Sequence, residues 1–574
     1  MPILFRHNLN RRAFLRGAGQ TAAALTAAGL LPLESSAAQP LPANVEPTLA
    51  EFVVRYMRVM GAPGLTLALT HADGSTAAVG FGLSDVDKKL PVTPAMLFQI
   101  GSISKSFCAL ALLQMRDEGK LDLQKPILDY LPWLPIDPPY GAITVHHLLT
   151  HTSGLPGNVP LFSADRNARI LQGFKPGSQF HYSNLGFEIL GRLAAMIDNR
   201  PYNAVVQARL LDPLGMTSSH AFISNTIRSQ ESESYVIRRD DLSGTHSAEL
   251  SVAPRFILTD ASGCIVSTPA DMNRYMAMLL AHGKGSHGRI VSEEGFALFA
   301  TPFIEAEEFG PGAHYGYGIA VDTLDGHKLL RHTGGMQSFA SSMQVDLDAK
   351  VGAFASINAM QGYRPNPVTK YAIQSMRAEA EKKPLPKSEP LPDPLEISDA
   401  TDYAGAYSGE SGTVQVVAEG RSLYVISGRT RIQLARVAGD TFVATDEAWQ
   451  SYPWAFGREK TAVATATGKV SEMGFGAKWY TNAAYTGPKT FAMPGPLAVF
   501  VGVYYSRTNG LLEAYILKGL LVVGGITLEP LGEGIFRFSD EPNNPETIEF
   551  LHVIDGHAQL AILNGEALER IEIA

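Results

Sequence analysis

The segment 48–60 spaces its apolar side chains as an amphipathic helix does. Directly after it, 64–69 alternates like a strand, His71-Ala72-Asp73-Gly74 supplies a turn, and 75–81 reads as a returning strand. A helix beside an antiparallel hairpin points to an α+β fold rather than a wound parallel sheet. Residues 102–195 read as one long helical section, punctuated by Gly119 and by Pro126, Pro132 and Pro135. Thr268-Pro269-Ala270-Asp271 predicts a further helix start: threonine caps, proline fits the first turn, and aspartate faces the positive helix end.

The pattern changes near residue 385. Pro384, Pro386, Pro390, Pro392 and Pro394 crowd one segment, which favours an extended linker. Beyond it come short alternating strands such as Thr413-Val414-Gln415-Val416 and Leu423-Tyr424-Val425-Ile426. Tyr403-Ala404-Gly405-Ala406-Tyr407 is echoed 97 residues later by Phe500-Val501-Gly502-Val503-Tyr504. At the same offset Leu423 meets Leu520, Val425 meets Val522 and Leu434 meets Leu531. A fixed offset of apolar positions predicts two copies of one antiparallel β-barrel or sandwich, in preference to one continuous β domain. Gly487-Pro488 and Pro494-Gly495-Pro496 lie between the copies.

With 574 residues the chain is too long for one ordinary domain, and 45% hydrophobic content gives it ample core material. Its formal net charge of −9 argues against a nucleic-acid partner, which needs clustered Lys and Arg. Asn10-Arg11-Arg12-Ala13-Phe14-Leu15-Arg16 resembles a twin-arginine export motif, followed by an Ala-rich stretch and a small-residue cleavage site at Ser36-Ala37-Ala38. The expected organisation is therefore a signal peptide over 1–38, a catalytic domain over 39–385, and β domains over 397–487 and 497–574. The expected location is the periplasm or outside the cell, with no stable membrane insertion once the signal is cut; an uncleaved anchor is the lesser reading. The two cysteines, Cys108 and Cys264, can pair in an oxidising compartment or remain buried thiols.

Three motifs carry candidate chemistry. In Ser102-Ile103-Ser104-Lys105 the serine and lysine are three apart, on one helix face. A serine hydroxyl becomes a nucleophile when a neighbour takes its proton, and a lysine of lowered pKa can do so. In Tyr182-Ser183-Asn184 a phenol can relay a proton to a leaving group, while the amide holds lysine and substrate. In His332-Thr333-Gly334-Gly335, preceded by a strand-like Lys328-Leu329-Leu330-Arg331, a strand edge can bond substrate. The Gly335 and Ser102 amides would there form an oxyanion hole. The His146-His147-Leu148-Leu149-Thr150-His151 run spaces histidines like a zinc helix but lacks the accompanying glutamate, so no metal is expected.

Taken in order, these motifs resemble the serine β-lactamase and penicillin-binding protein superfamily, class C-like branch. Gly119-Lys120-Leu121-Asp122-Leu123, Leu148-Leu149-Thr150-His151-Thr152-Ser153-Gly154-Leu155 and Gly316-Tyr317-Gly318 add to the likeness, which covers about 45–375. The resemblance implies an antiparallel sheet flanked by helices, an all-helical lobe, and a site between them. It implies Ser102 as acylated nucleophile, Lys105 and Tyr182 as acid/base groups, Asn184 positioning substrate, and His332, Thr333, Gly334 and Gly335 lining the site, without a cofactor. Histidine at 332, where class C β-lactamases carry lysine, looks more like the family's peptidases. Gly335 replaces the hydroxyl residue with which carboxypeptidases grip a substrate carboxylate. Paired β domains resemble the D-aminopeptidase layout. The expected function is a serine hydrolase acting on small peptides with D-residues, cell-wall derived ones among them. A family esterase and an acylating sensor with little turnover are the alternatives.

Overall fold

The computed structural model describes residues 45–162, 169–237, 250–359, 364–391, 393–450, 452–459, 468–491, 495–506 and 510–572. The expected signal peptide lies outside the described residues. Among them, no helix is long and apolar enough to cross a membrane.

The first compact unit runs from 45 to 391. Its centre is an antiparallel sheet of nine strands, in the order Ile304–Glu305, His314–Tyr315, Ala320–Leu324, His327–Gly335, Ala340–Asp346, Val351–Ile357, Gly64–His71, Thr76–Asp85 and Leu90–Pro91. The predicted hairpin is there, with Leu65 opposite Phe81 and Thr70 opposite Thr76. Alternation divides its side chains between two layers. Leu65, Leu67 and Leu69 join Ala353, Ala355 and Ile357 on one face, under the helices Pro47–Met60 and Asn366–Ala380. On the other face Gly352 lies against Met276, and the Thr70 hydroxyl donates to Asn273 Oδ1 at 2.7 Å; both partners belong to the helix Pro269–Leu280. That helix starts as the sequence predicts, with Thr268 Oγ1 accepting from the Asp271 amide.

The long helical section is only partly helical. The helix Ser104–Asp117 is buried along nearly its whole length and forms the spine of a helical lobe with Ile127–Tyr130, Val145–Leu149, Asn184–Asp198 and Tyr202–Val206. The described chain between Leu149 and Asn184 is irregular except for Ile170–Leu171, which pairs in parallel with Ile136–Asp137. Gly154, Pro156, Gly157, Pro160, Pro176 and Gly177 explain this, because glycine and proline each interrupt a helix. Cys108 and Cys264 are buried free thiols.

The second unit holds two closed barrels of eight antiparallel strands each. The first runs from Gly405–Gly409 to Lys478–Thr481, closed by Ser408 opposite Thr481. The second runs from Gly502–Ser506 to Glu566–Ile571, closed by Val503 opposite Ile571. The repeat is structural at its start: Tyr407 and Tyr504 each donate from the hydroxyl to the carbonyl four residues upstream, Tyr403 and Phe500, at 2.9 Å. Further along, the fixed offset misassigns the core. Leu423 and Leu434 are buried, but Leu520 and Leu531 are exposed, and Leu521 and Val523 fill the interior instead. The first hairpin of the second barrel is one residue longer, and a one-residue slip moves every side chain to the opposite face.

Candidate active site

Chain geometry brings the three motifs together before any side chain does. Gly101–Ile103 is a single 3₁₀ turn leading into the helix Ser104–Asp117. It runs against the end of the strand His327–Gly335 so closely that only glycine fits. Gly101 has φ 55°, and a Cβ there would stand 2.8 Å from the Gly335 nitrogen. A Cβ on Gly334 would overlap the Ile100 carbonyl. The neighbouring strand Ala320–Leu324 stops pairing opposite Arg331, so His332 to Gly335 have no strand on that flank. The third motif comes from a helix cap. Ser183 Oγ accepts from the Gly186 amide at 3.0 Å, which places Tyr182 just before the helix and Asn184 at its first position.

Ser102, Lys105, Tyr182, Asn184, His332, Thr333, Gly334 and Gly335 lie in this one place, and all are buried; Ser102 keeps 5% of its surface. Lys105 Nζ stands 3.0 Å from Ser102 Oγ, 2.6 Å from Asn184 Oδ1 and 2.8 Å from the Ser262 carbonyl oxygen. It also lies 4.7 Å from the centre of the Tyr182 ring. Burial drives the Lys105 amine well below its ordinary range, with Asp260 pulling the other way. Burial likewise raises Tyr182, which keeps it a phenol, although a hydrogen bond with Ser102 opposes the rise. His332 Nε2 and the Tyr315 hydroxyl are 2.9 Å apart, and His332 Nδ1 is 2.6 Å from the Thr333 carbonyl. A carbonyl only accepts, so Nδ1 carries the proton and Nε2 accepts from Tyr315. Burial pulls His332 down to about 3, so it is neutral in ordinary buffers.

Two features were not legible in the motifs. Arg364 donates to Thr333 Oγ1, which brings a cation to the strand end where Gly335 offers no hydroxyl. It arrives from the segment before the helix Asn366–Ala380, and nothing in its neighbours' spacing marks it. Tyr315, Phe309 and Phe180 line the same region as an aromatic wall, with ring centres 5.3 to 6.3 Å apart.

The histidine run has structural partners. His147 completes a capping box with Thr144, His146 Nδ1 is 2.8 Å from the Tyr317 hydroxyl, and His151 packs behind Tyr182. Among the described residues His327, Asp346 and Asp348 bring ligand-type atoms within 4.8 Å of one another. Asp346 already accepts from Arg377 and from the Asp348 and Ala349 amides, a charge network at the far end of the strand from Gly335.

A family model described as Beta-lactamase matches residues 49–378, and the chain belongs to that family. Protein flp of Staphylococcus aureus (strain N315) is 24% identical over 319 residues, which cover 53% of this chain and 61% of that protein. The chain thus spans about three fifths of the length of the curated relatives it matches. The octameric penicillin-binding protein homologue from Pyrococcus abyssi shares the fold, with a TM-score of 0.55 and 24% identity over 75% of this chain and 99% of that one.

Proposed function

We propose that the protein hydrolyses amide bonds of small peptides containing D-residues, through an acyl-enzyme on Ser102. The observation that carries the reading is the stoichiometry around Lys105. A neutral amine has two N–H bonds and one lone pair. The Asn184 and Ser262 carbonyl oxygens can only accept, so they take both N–H groups. The lone pair is left facing the Ser102 hydroxyl at 3.0 Å. Burial favours that neutral form. Lys105 thereby acts as the base, and Ser102 Oγ attacks the substrate carbonyl. The Ser102 and Gly335 amides, on the closely packed turn and strand, would hold the oxyanion. Tyr182 stays a phenol and lies against both Ser102 and Lys105, so it can give its proton to the departing nitrogen and recover one from Lys105. Water then repeats the cycle to release the acyl group.

Arg364 beside Thr333 favours a departing residue with a free carboxylate, as a carboxypeptidase substrate has. The aromatic wall of Phe180, Phe309 and Tyr315 favours a second reading, an esterase for short acyl esters. The export motif at 10–16 supports action outside the cytoplasm.

A panel of D-amino acid amides, D-Ala-D-Ala peptides, a cephalosporin and short esters tests the function. Hydrolysis of the D-peptides is expected, and Ser102→Ala should abolish every activity. Turnover of esters alone would favour the esterase, and full activity in Ser102→Ala would overturn the mechanism.

A further inference from the structure

Of the two oxygens that take the Lys105 N–H groups, the Ser262 carbonyl lies in a turn, outside any helix or strand. The chain on either side of that turn is anchored. Leu258 exchanges backbone hydrogen bonds with Ile223 at 2.8 and 3.1 Å. The Ile265 amide donates to Ser104 Oγ at 3.1 Å, and the Ile265 carbonyl accepts from the Ile100 amide at 3.0 Å. Between these anchors Ala261 packs against the helix Asn184–Asp198 at Gly191, where a Cβ would stand 2.8 Å from the alanine methyl. Ser262 comes next, and Asp260 holds it. Asp260 Oδ1 accepts from the Ser262 amide at 2.8 Å and also from the Ser262 hydroxyl. One carboxylate oxygen thus fixes both the backbone and the side chain of Ser262. Gly263 follows, with the widest backbone freedom of any residue, so the peptide between them is steered from the Ser262 side.

We propose that Asp260 is a positioning residue for the base: it aims the Ser262 carbonyl at Lys105, so that the lone pair of the amine is left for Ser102. The inference rests on Lys105 acting as the base in the reading above. If that carbonyl turned away, one Lys105 N–H would need another acceptor, and Ser102 Oγ is 3.0 Å away. An amine that points an N–H at Ser102 Oγ does not take its proton. The charge of Asp260 is not its contribution, because a carboxylate favours the ammonium form and so opposes the base. What remains is the turn. Asparagine closes the same turn without the charge, whereas glutamate keeps the charge but is one methylene too long.

The test follows covalent labelling of Ser102 by a fluorophosphonate in the full chain. The final extent of labelling counts folded sites, and the rate constant reads how well Ser102 is activated. Asp260→Asn should label within about threefold of the native rate, whereas Asp260→Glu and Asp260→Ala should be about tenfold slower at undiminished extent. A native rate constant in Asp260→Ala overturns the proposal, even at lowered extent, which is the mark of a role in folding alone. A slow Asp260→Asn or a native rate in Asp260→Glu overturns it too, since the turn would then not be what matters. If the alanine variant does not fold, the contrast between asparagine and glutamate decides alone. Added to Lys105→Arg, Asp260→Ala should slow labelling by less than about twofold more. A second tenfold loss there would show that Asp260 reaches Ser102 by another route, against the proposal. Native labelling in Lys105→Arg would remove the base reading itself. Slow labelling there beside native rates in every Asp260 variant removes only the role of Asp260.

Discussion

The imidazole of His151 lies nearly flat against the ring of Tyr182, with centres 4.2 Å apart and 26° between the planes, while its Nδ1 accepts from the Ser183 amide at 3.0 Å. One buried side chain therefore fixes both the plane of the phenol and the backbone that sets Asn184. Burial holds His151 well below its ordinary range, so it serves as a neutral acceptor.

Small displacements of a reacting group cost rate more than affinity. His151→Ala is expected to lower kcat on a short ester by about 10- to 100-fold with KM nearly unchanged. His151→Phe keeps the stacked ring, loses only the acceptor, and should recover part of the loss. Steady-state kinetics of both variants check this, and an unchanged kcat in His151→Ala would remove the positioning role.

Lys105→Arg separates a base from a mere cation. Guanidinium does not lose its proton in this setting, so it cannot offer the lone pair that faces Ser102. Activity should fall by about 10³-fold or more, despite the retained positive charge. Labelling of Ser102 by a fluorophosphonate should slow in parallel. Near-normal labelling in a folded variant would show that Ser102 is activated by something else.

Ser102, Lys105, Tyr182, Asn184 and His332 to Gly335 were legible because each sits on a locally encoded element: a helix start, a serine cap, a strand end. Their meeting was not written in any one motif. It depends on Gly101 and Gly334 letting two backbones touch, which becomes visible only when the strand is laid on the turn. Arg364 stayed hidden for a related reason: it lies in a short connection, and only the sheet order brings that connection to the end of the His327–Gly335 strand. In the barrels the apolar repeat showed that two copies exist, but one extra residue in a hairpin put Leu520 and Leu531 outside.

Arg364→Ala should act on binding of carboxylate-bearing substrates. A charge-assisted hydrogen bond that is lost typically costs about 1.5–3 kcal/mol, or roughly 10- to 100-fold in KM. Neutral short esters should change much less. A KM that rises equally for peptides and neutral esters would assign Arg364 to holding Thr333 rather than to reading an anion.

Glu188 gives a prediction in pH. It sits one turn after Asn184 on the same helix, and burial first, then the neighbouring Asp260, push its carboxyl up to about 7, with Arg192 opposing. An unfolded chain would release that proton near the ordinary carboxylate range, about 4.3. Between these values the folded protein binds the extra proton, so the contribution of Glu188 to stability falls as pH rises through the window. Glu188→Gln copies the neutral form and removes this dependence. The melting temperature of the variant should therefore gain on the native protein between about pH 4.5 and 7.5, while below that window the difference should be flat. Parallel melting curves for the two proteins across the whole range would mean that Glu188 titrates as an ordinary carboxyl.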